Sequence, residues 1–283
     1  MSVIQVGLVD KTGKLDTQLL QETAAAISIQ VTRDLSPIWN VQATVQYLQS
    51  PTNIPVGVWP VFLVAKLPPD EGGFHLDKKN QPYAEVIGTP DSADWTIDAS
   101  HEIVEMLVDP AGNRLQASRA IEISGKGVQD STGEFEYLVE ACDPCEANDY
   151  AYSINGIAVS DFITPHFYDP VAASGTNYSF GGNIKAPRQL LPGGYISFVN
   201  PQTDDMEQIL FLGSKPQLKN LGPATGLSLR AFVDGKSHDA VIKHRKPNDK
   251  LSAWCKEHRR LRAQAAIRRG ESYSRLAKAA GSR

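Results

Sequence analysis

One short stretch concentrates the residues of this sequence that could do chemistry. Trp95 to Pro110 reads W-T-I-D-A-S-H-E-I-V-E-M-L-V-D-P, with His101, Glu102 and Glu105 spaced as His-Glu-x-x-Glu. On a helix, His101 and Glu105 stand four residues apart and share one face, with Glu102 about a hundred degrees round from it. An imidazole and a carboxylate at that spacing are two ready ligands for a zinc ion, and an adjacent glutamate can accept a proton from water. The surrounding residues are apolar: Ile103, Val104, Met106, Leu107 and Val108. Burying three polar groups among them is costly unless they are paired or metal-bound, so the metal reading is the one to test.

The elements that must position this stretch follow from periodicity. Asp98 or Ser100 can cap a helix start, and Pro110 disfavours helix in the residue before it, so the helix should stop by Asp109. Leu19, Leu20, Ala24, Ile27 and Val31 recur at helical spacing and predict an amphipathic helix over Asp16 to Arg33, with Pro37 ending that region. Val3 to Val9, the alternating segment around Val41 to Tyr47, and the apolar run Val58 to Ala65 predict strands. Short extended segments are expected from Gly72 to Asp77 and from Pro82 to Ile87, just ahead of the His-Glu-x-x-Glu helix. Beyond Pro110, strands are expected at Ala120 to Ser124, Glu134 to Val139, Gly194 to Val199 and Gln208 to Leu212. Asn155-Gly156 between apolar residues predicts a hairpin turn. Ala172 to Gly182, rich in Gly, Ser and Asn, reads as an irregular loop.

Bulk properties are those of a globular chain: 283 residues, 41% hydrophobic and 21% charged, which is enough to bury a sizeable core. The net charge of -4 conceals an asymmetry: from Lys243 onward there are 13 Lys/Arg against 3 Asp/Glu, leaving 15 against 29 in the rest. Three cysteines give no disulfide framework. Cys142-Asp-Pro-Cys145 has redox-motif spacing without a βαβ setting, so a local disulfide or two free thiols are expected. No secretory signal peptide opens the chain and no apolar run could span a bilayer, so a soluble, cytoplasmic protein is the default expectation. In the basic tail, Leu251, Trp254, Cys255, His258, Leu261 and Ala265 mark one helical face opposite Lys256, Arg259, Arg260 and Arg262. Gly270 is expected to break that helix, with a second short one over Ser272 to Ala280. Such a tail could engage nucleic acid, an anionic surface or an acidic partner, or dock on the acidic body.

S-H-E-I-V-E-M-L-V-D-P resembles the active-site helix of zincin-type metallopeptidases. The order of helix, sheet, short extended segment and site helix also resembles the zincin N-terminal subdomain, over roughly Gln18 to Tyr168. The usual pattern is H-E-x-x-H; here Glu105 takes the place of the second histidine, as in a variant group that carries H-E-x-x-E followed by D-P. No G-x-x-H follows the helix, so the metzincin pattern fails. The resemblance implies an α+β domain over residues 1–190, with a zincin-like mixed sheet and an active-site helix. A small β-rich extension over 191–242 and basic C-terminal helices over 243–283 would complete the chain. It implies a bound Zn2+ held by His101, Glu105 and a downstream carboxylate, with Glu102 as the catalytic base acting on a peptide or protein substrate. In glutamate-type zincins the third ligand is a downstream glutamate with an aspartate nearby orienting the first histidine. Glu140-Ala-Cys-Asp143 resembles that pair with one residue less between them, leaving Glu140 and Asp143 as alternatives. A second carboxylate ligand would make the ion a weaker Lewis acid. The competing expectation is a catalytically inactive structural or binding protein of zincin fold, attached to a larger assembly through its basic tail. Asp109 reads as a cap or turn residue. His75 reads as structural or exposed, and His166 with Tyr168 as part of an aromatic cluster rather than an oxyanion site.

Overall fold

Asp16 fixes where the first helix begins. Its Oδ1 accepts the Leu19 amide at 2.7 Å and caps α1, Thr17–Ile29, which follows strand β1, Ile4–Asp10. The computed structural model describes residues 3–67, 73–78, 81–90, 92, 94–125, 127–226, 228–244 and 246–280. Gly72, and residues 245 and 281–283 of the tail, lie outside the described residues. The helical path does not stop at Pro37 as the sequence suggests. A π-helical turn, Gln30–Leu35, runs into α2, Ser36–Trp39, where Pro37 occupies the first turn. A proline is tolerated there because the amide it lacks would be unpaired anyway. Asn40, with φ 54°, ends the run.

Strands β2 (Ala43–Leu48), β3 (Val58–Val64), β4 (Gly73–Asp77) and β5 (Pro82–Ile87) join β1 in one mixed sheet of order β2-β1-β3-β5-β4. Strands β1, β2, β3 and β5 run parallel, and β4 is antiparallel at the edge. Helix α3, Trp95–Val108, lies against β4 and β5. Every residue of α3 except Asp98 is buried, as the apolar run in its sequence requires. Its start is a turn earlier than a cap at Asp98 or Ser100 would give. Trp95 is sunk in the core, and the Ser100 hydroxyl instead donates to the Ile97 carbonyl and accepts the Ser160 amide. Burial of the indole decides the first turn.

A long hairpin, β6 (Leu115–Ser124) and β7 (Gly127–Leu138), belongs to a second sheet. Strands β10 (Tyr195–Asn200), β11 (Asp205–Leu210) and β12 (Gln217–Pro223) complete it in the antiparallel order β12-β11-β10-β7-β6. Strands from both sides of residue 190 thus share one sheet, and Phe198 and Ile209 pack in the same core as Val6 and Ile103. A separate small hairpin is formed by β8 (Tyr152–Ile154) and β9 (Ile157–Val159). Asn155 and Gly156 take φ 56° and 86° at its turn, as an Asn-Gly hairpin requires. Helices α1 and α3 both touch β9.

Helix α4, Leu229–His244, and helix α5, Asp249–Ala280, close the chain. Helix α4 begins within the stretch 191–242 expected to be β-rich, and contacts β4. Helix α5 runs through Gly270 without a break, because a glycine costs a helix interior only about 1 kcal/mol. Its N-terminal part docks on the β8–β9 hairpin: Leu251 and Cys255 pack with Ile97, Ala151 and Ala158, and the Arg262 guanidinium donates to the Asn155 carbonyl. The rest of the expected apolar face stays largely in water, with Trp254 stacked on His258 at 4.9 Å. Among the described residues no helix is long and apolar enough to cross a membrane.

Candidate metal centre

Helix α3 delivers His101, Glu102 and Glu105 into an interior where each is at most 4% exposed. The i, i+4 geometry brings His101 Nε2 to 3.3 Å from Glu105 Oε2. The chain then returns past β7 into a 3₁₀ turn, Asp143–Cys145, which sets Asp143 Oδ1 at 3.2 Å from the same imidazole nitrogen. Glu105 Oε1 accepts the Cys142 amide at 3.0 Å, tying the helix to that turn. His101, Glu105 and Asp143 therefore form one buried group whose ligand atoms all lie within 4.8 Å of one another. Of the two downstream carboxylates left open by the sequence, Asp143 joins this group. Glu140 faces a different partner.

That partner is Arg230, near the start of α4 and fully buried. Its Nη1 contacts Glu105 Oε2, accompanies Glu140 Oε1 at 2.7 Å and stands 3.9 Å from Asp143 Oδ2. Its Nε pairs with Asp234 one helical turn further on, at 2.9 Å. The turn after α3 seats this arginine. Gly112 has φ 64°, its carbonyl accepts the Arg230 amide, and a Cβ there would stand 2.8 Å from Arg230 Cβ. Asn113 Oδ1 accepts the Leu229 amide at 2.8 Å. Asp109 does turn work, accepting the Arg114 amide through Oδ2 at 2.7 Å.

Strand β4 adds a residue expected from the sequence to be structural or exposed. His75 is 2% exposed, with Nδ1 at 3.4 Å from Glu102 Oε2 and 3.9 Å from Glu105 Oε2. Its Nε2 lies 3.1 Å from the Asp109 carbonyl. His75, Glu102 and Glu105 make a second group of three potential ligands, sharing Glu105 with the first. Gly73, one pleat away on the same face of β4, lies against Glu102, where a Cβ would be 3.0 Å from Oε1.

The electrostatics are those of a crowded, buried cluster. Burial would lower the His101 imidazole, but Glu105, Asp143 and Glu102 outweigh it and hold it well above its ordinary value. Burial would raise Glu105, yet the Arg230 guanidinium, with His101 and His75, keeps it well below the usual carboxylate range. Glu140 is pushed well up by burial, and the charges of Asp143 and Glu105 add to that against Arg230. Burial and Glu105 likewise raise Asp143. Several buried polar atoms make no hydrogen bond: His75 Nδ1, His101 Nδ1, Glu102 Oε2, Glu140 Oε2 and both Asp143 carboxylate oxygens. Buried polar groups are paired as a rule, and these unpaired atoms fall among the two groups of potential ligands and the neighbouring Glu140.

Other candidates fall outside this centre. His166 is exposed and pairs with Asp169 at 2.8 Å, while Tyr168 is buried in the aromatic cluster with Phe167 and Tyr137. Cys142 and Cys145 are free, buried thiols that burial pushes well up. Sequence reasoning missed Arg230 and set His75 aside. Strand alternation could place either Phe74 and Leu76 or Gly73 and His75 inward, and the structure buries the second pair. For Arg230 the local signal is an i, i+4 pair with Asp234 alone, and its partners in the centre lie roughly 90 to 125 residues away along the chain. Comparison with protein-family models, with curated proteins and with solved structures finds no match to this chain.

Proposed function

We propose that this chain is a zincin-like, zinc-dependent metallopeptidase that hydrolyses peptide bonds. The observation that carries the reading is the convergence of His101 Nε2, Glu105 Oε2 and Asp143 Oδ1 in one buried group, beside a Glu102 whose Oε2 has no hydrogen bond. The donor set fits: one imidazole and two carboxylates are ordinary zinc ligands, and the Asp143 oxygens lack hydrogen-bond partners. His101, Glu105 and Asp143 would hold the ion. When bound, it supplies Lewis acidity toward a carbonyl oxygen and makes a water easier to deprotonate. Glu102 takes the proton of the attacking water at a carboxylate oxygen. It then delivers that proton to the leaving amine nitrogen as the C–N bond breaks. Strand β4, at the sheet edge beside Glu102, is where an extended peptide would align by strand addition.

The test pairs metal content with hydrolysis. Purified chain is expected to carry zinc, with His101→Ala losing the ion held by His101, Glu105 and Asp143, and Glu105→Ala losing zinc altogether. Glu102→Gln should keep the ion held by His101, Glu105 and Asp143 and lose cleavage of an unstructured protein such as casein. Full hydrolysis by Glu102→Gln would overturn the role given to that residue.

One observation favours a second reading, a catalytically inactive zincin-fold protein acting in an assembly. Arg230 already neutralises Glu105 and Glu140, as a structural cation would. Attachment would then fall to α5, whose Lys256, Arg259, Arg260 and Arg262 belong to the basic tail. Absence of zinc from wild type and from an Arg230→Met variant would select this reading.

A further inference from the structure

The group formed by His75, Glu102 and Glu105 draws its imidazole from β4 rather than α3, and its geometry makes a specific demand. A backbone carbonyl only accepts, so the 3.1 Å contact between His75 Nε2 and the Asp109 carbonyl requires the ring proton on Nε2. In the neutral ring the Nδ1 lone pair then faces Glu102 Oε2 at 3.4 Å and Glu105 Oε2 at 3.9 Å. His75 Nδ1 and Glu102 Oε2 are both buried and make no hydrogen bond. Two of the three ligand atoms thus lack a partner, and the third, Glu105 Oε2, is the one shared with Arg230 and His101. A divalent cation satisfies such an arrangement. The second ring nitrogen bonded to a carbonyl is the outer-shell contact that fixes the tautomer of a ligating histidine.

We infer that His75, Glu102 and Glu105 form a second divalent-cation site, so that the centre takes two ions bridged by Glu105. One imidazole and two carboxylates suit zinc, manganese or ferrous iron.

The two ions are not equivalent. Glu102 is a ligand only in the doubly loaded form, where its carboxylate is no longer available to take a proton. Excess metal therefore removes the base on which the proposed hydrolysis depends, and His75 is the residue through which it does so. The inference rests on the first site only in sharing Glu105, and the two fail differently.

The experiment uses the full chain, stripped with chelator and then equilibrated with Zn2+ by dialysis, with bound metal measured by elemental analysis. Wild type is expected to hold two zinc ions per chain, and His75→Gln one. His101→Gln should also hold one, now at the second site. Two ions in wild type falling to one in His75→Gln supports the inference. One ion in both wild type and His75→Gln overturns it and leaves the first site standing. A single ion lost in His75→Gln but kept in His101→Gln overturns both the two-ion inference and the ligand set proposed above. No ion in any form overturns both readings. Should His75→Gln fail to fold by near-ultraviolet circular dichroism, Glu102→Gln reads the same site from α3, and the same drop to one ion is expected.

Discussion

Replacing Arg230 by methionine tests the chemistry of the centre most directly. Methionine keeps much of the apolar stem but removes a guanidinium that is fully buried against Glu105, Glu140 and Asp234. Breaking a buried ion pair by removing one partner costs about 3–5 kcal/mol, because the remaining charges lose their counter-ion. For a chain of this size that is a drop on the order of 10 °C in the thermal midpoint, measured in chelator near neutral pH. A divalent ion can then supply the missing charge, and at ~100 times its dissociation constant it returns about 2.7 kcal/mol. Wild type gains less, since its arginine already contacts the Glu105 oxygen that the ion needs. The assay is scanning calorimetry of both proteins in chelator and across a zinc titration. A variant midpoint within about 2 °C of wild type in chelator would mean Arg230 is not the counter-ion of the cluster. Zinc stabilising wild type as much as the variant would refute competition between arginine and metal.

Three further outcomes follow from the same structure. Gly112→Val puts a branched side chain at φ 64° and 2.8 Å from Arg230 Cβ, so it should cost roughly 1–3 kcal/mol in urea unfolding and weaken the seat of α4. A stability equal to wild type would show that the turn does not position Arg230. The three cysteines are free and buried, and burial pushes their thiols up, so a thiol reagent should label none rapidly in the native protein and all three after unfolding. Rapid native labelling of Cys142 would contradict its burial behind Glu105. In chelator, stability should be greatest in mild acid. The raised His101 contributes fully below its unfolded value of 6.5 and loses that contribution as pH rises through its higher folded value. The raised Glu140 and Asp143 act in the same direction, since ionising them costs the folded state. The depressed Glu105 contributes above its unfolded value of 4.5 and loses that contribution as pH falls through its lower folded value. Denaturant titrations showing stability that climbs steadily from pH ~5 to ~9 would refute this ionisation pattern.

What the sequence determined by itself is local. The spacing of His101 and Glu105 follows from the helical repeat, and Pro110 ends α3 at the residue before Asp109 because of its own covalent geometry. The capped α1, the Asn155-Gly156 hairpin and the central β3 are likewise written in short-range chemistry, as is the mixed α+β composition that they build. Where packing competes with local signals, the sequence misleads. The helix passes Pro37 and Gly270, and α3 starts at a buried tryptophan rather than at Asp98 or Ser100. The membership of the centre was decided only by tertiary structure. Asp143 was separated from Glu140 by the path of one 3₁₀ turn, and His75 was brought in by the antiparallel pairing of β4 with β5. Arg230 arrived from the far end of the chain on a helix seated against Gly112. Periodicity records which way a side chain faces along its own element. It carries no information about which charge from a distant element will be buried beside it, because that depends on the desolvation and pairing of whole groups at once.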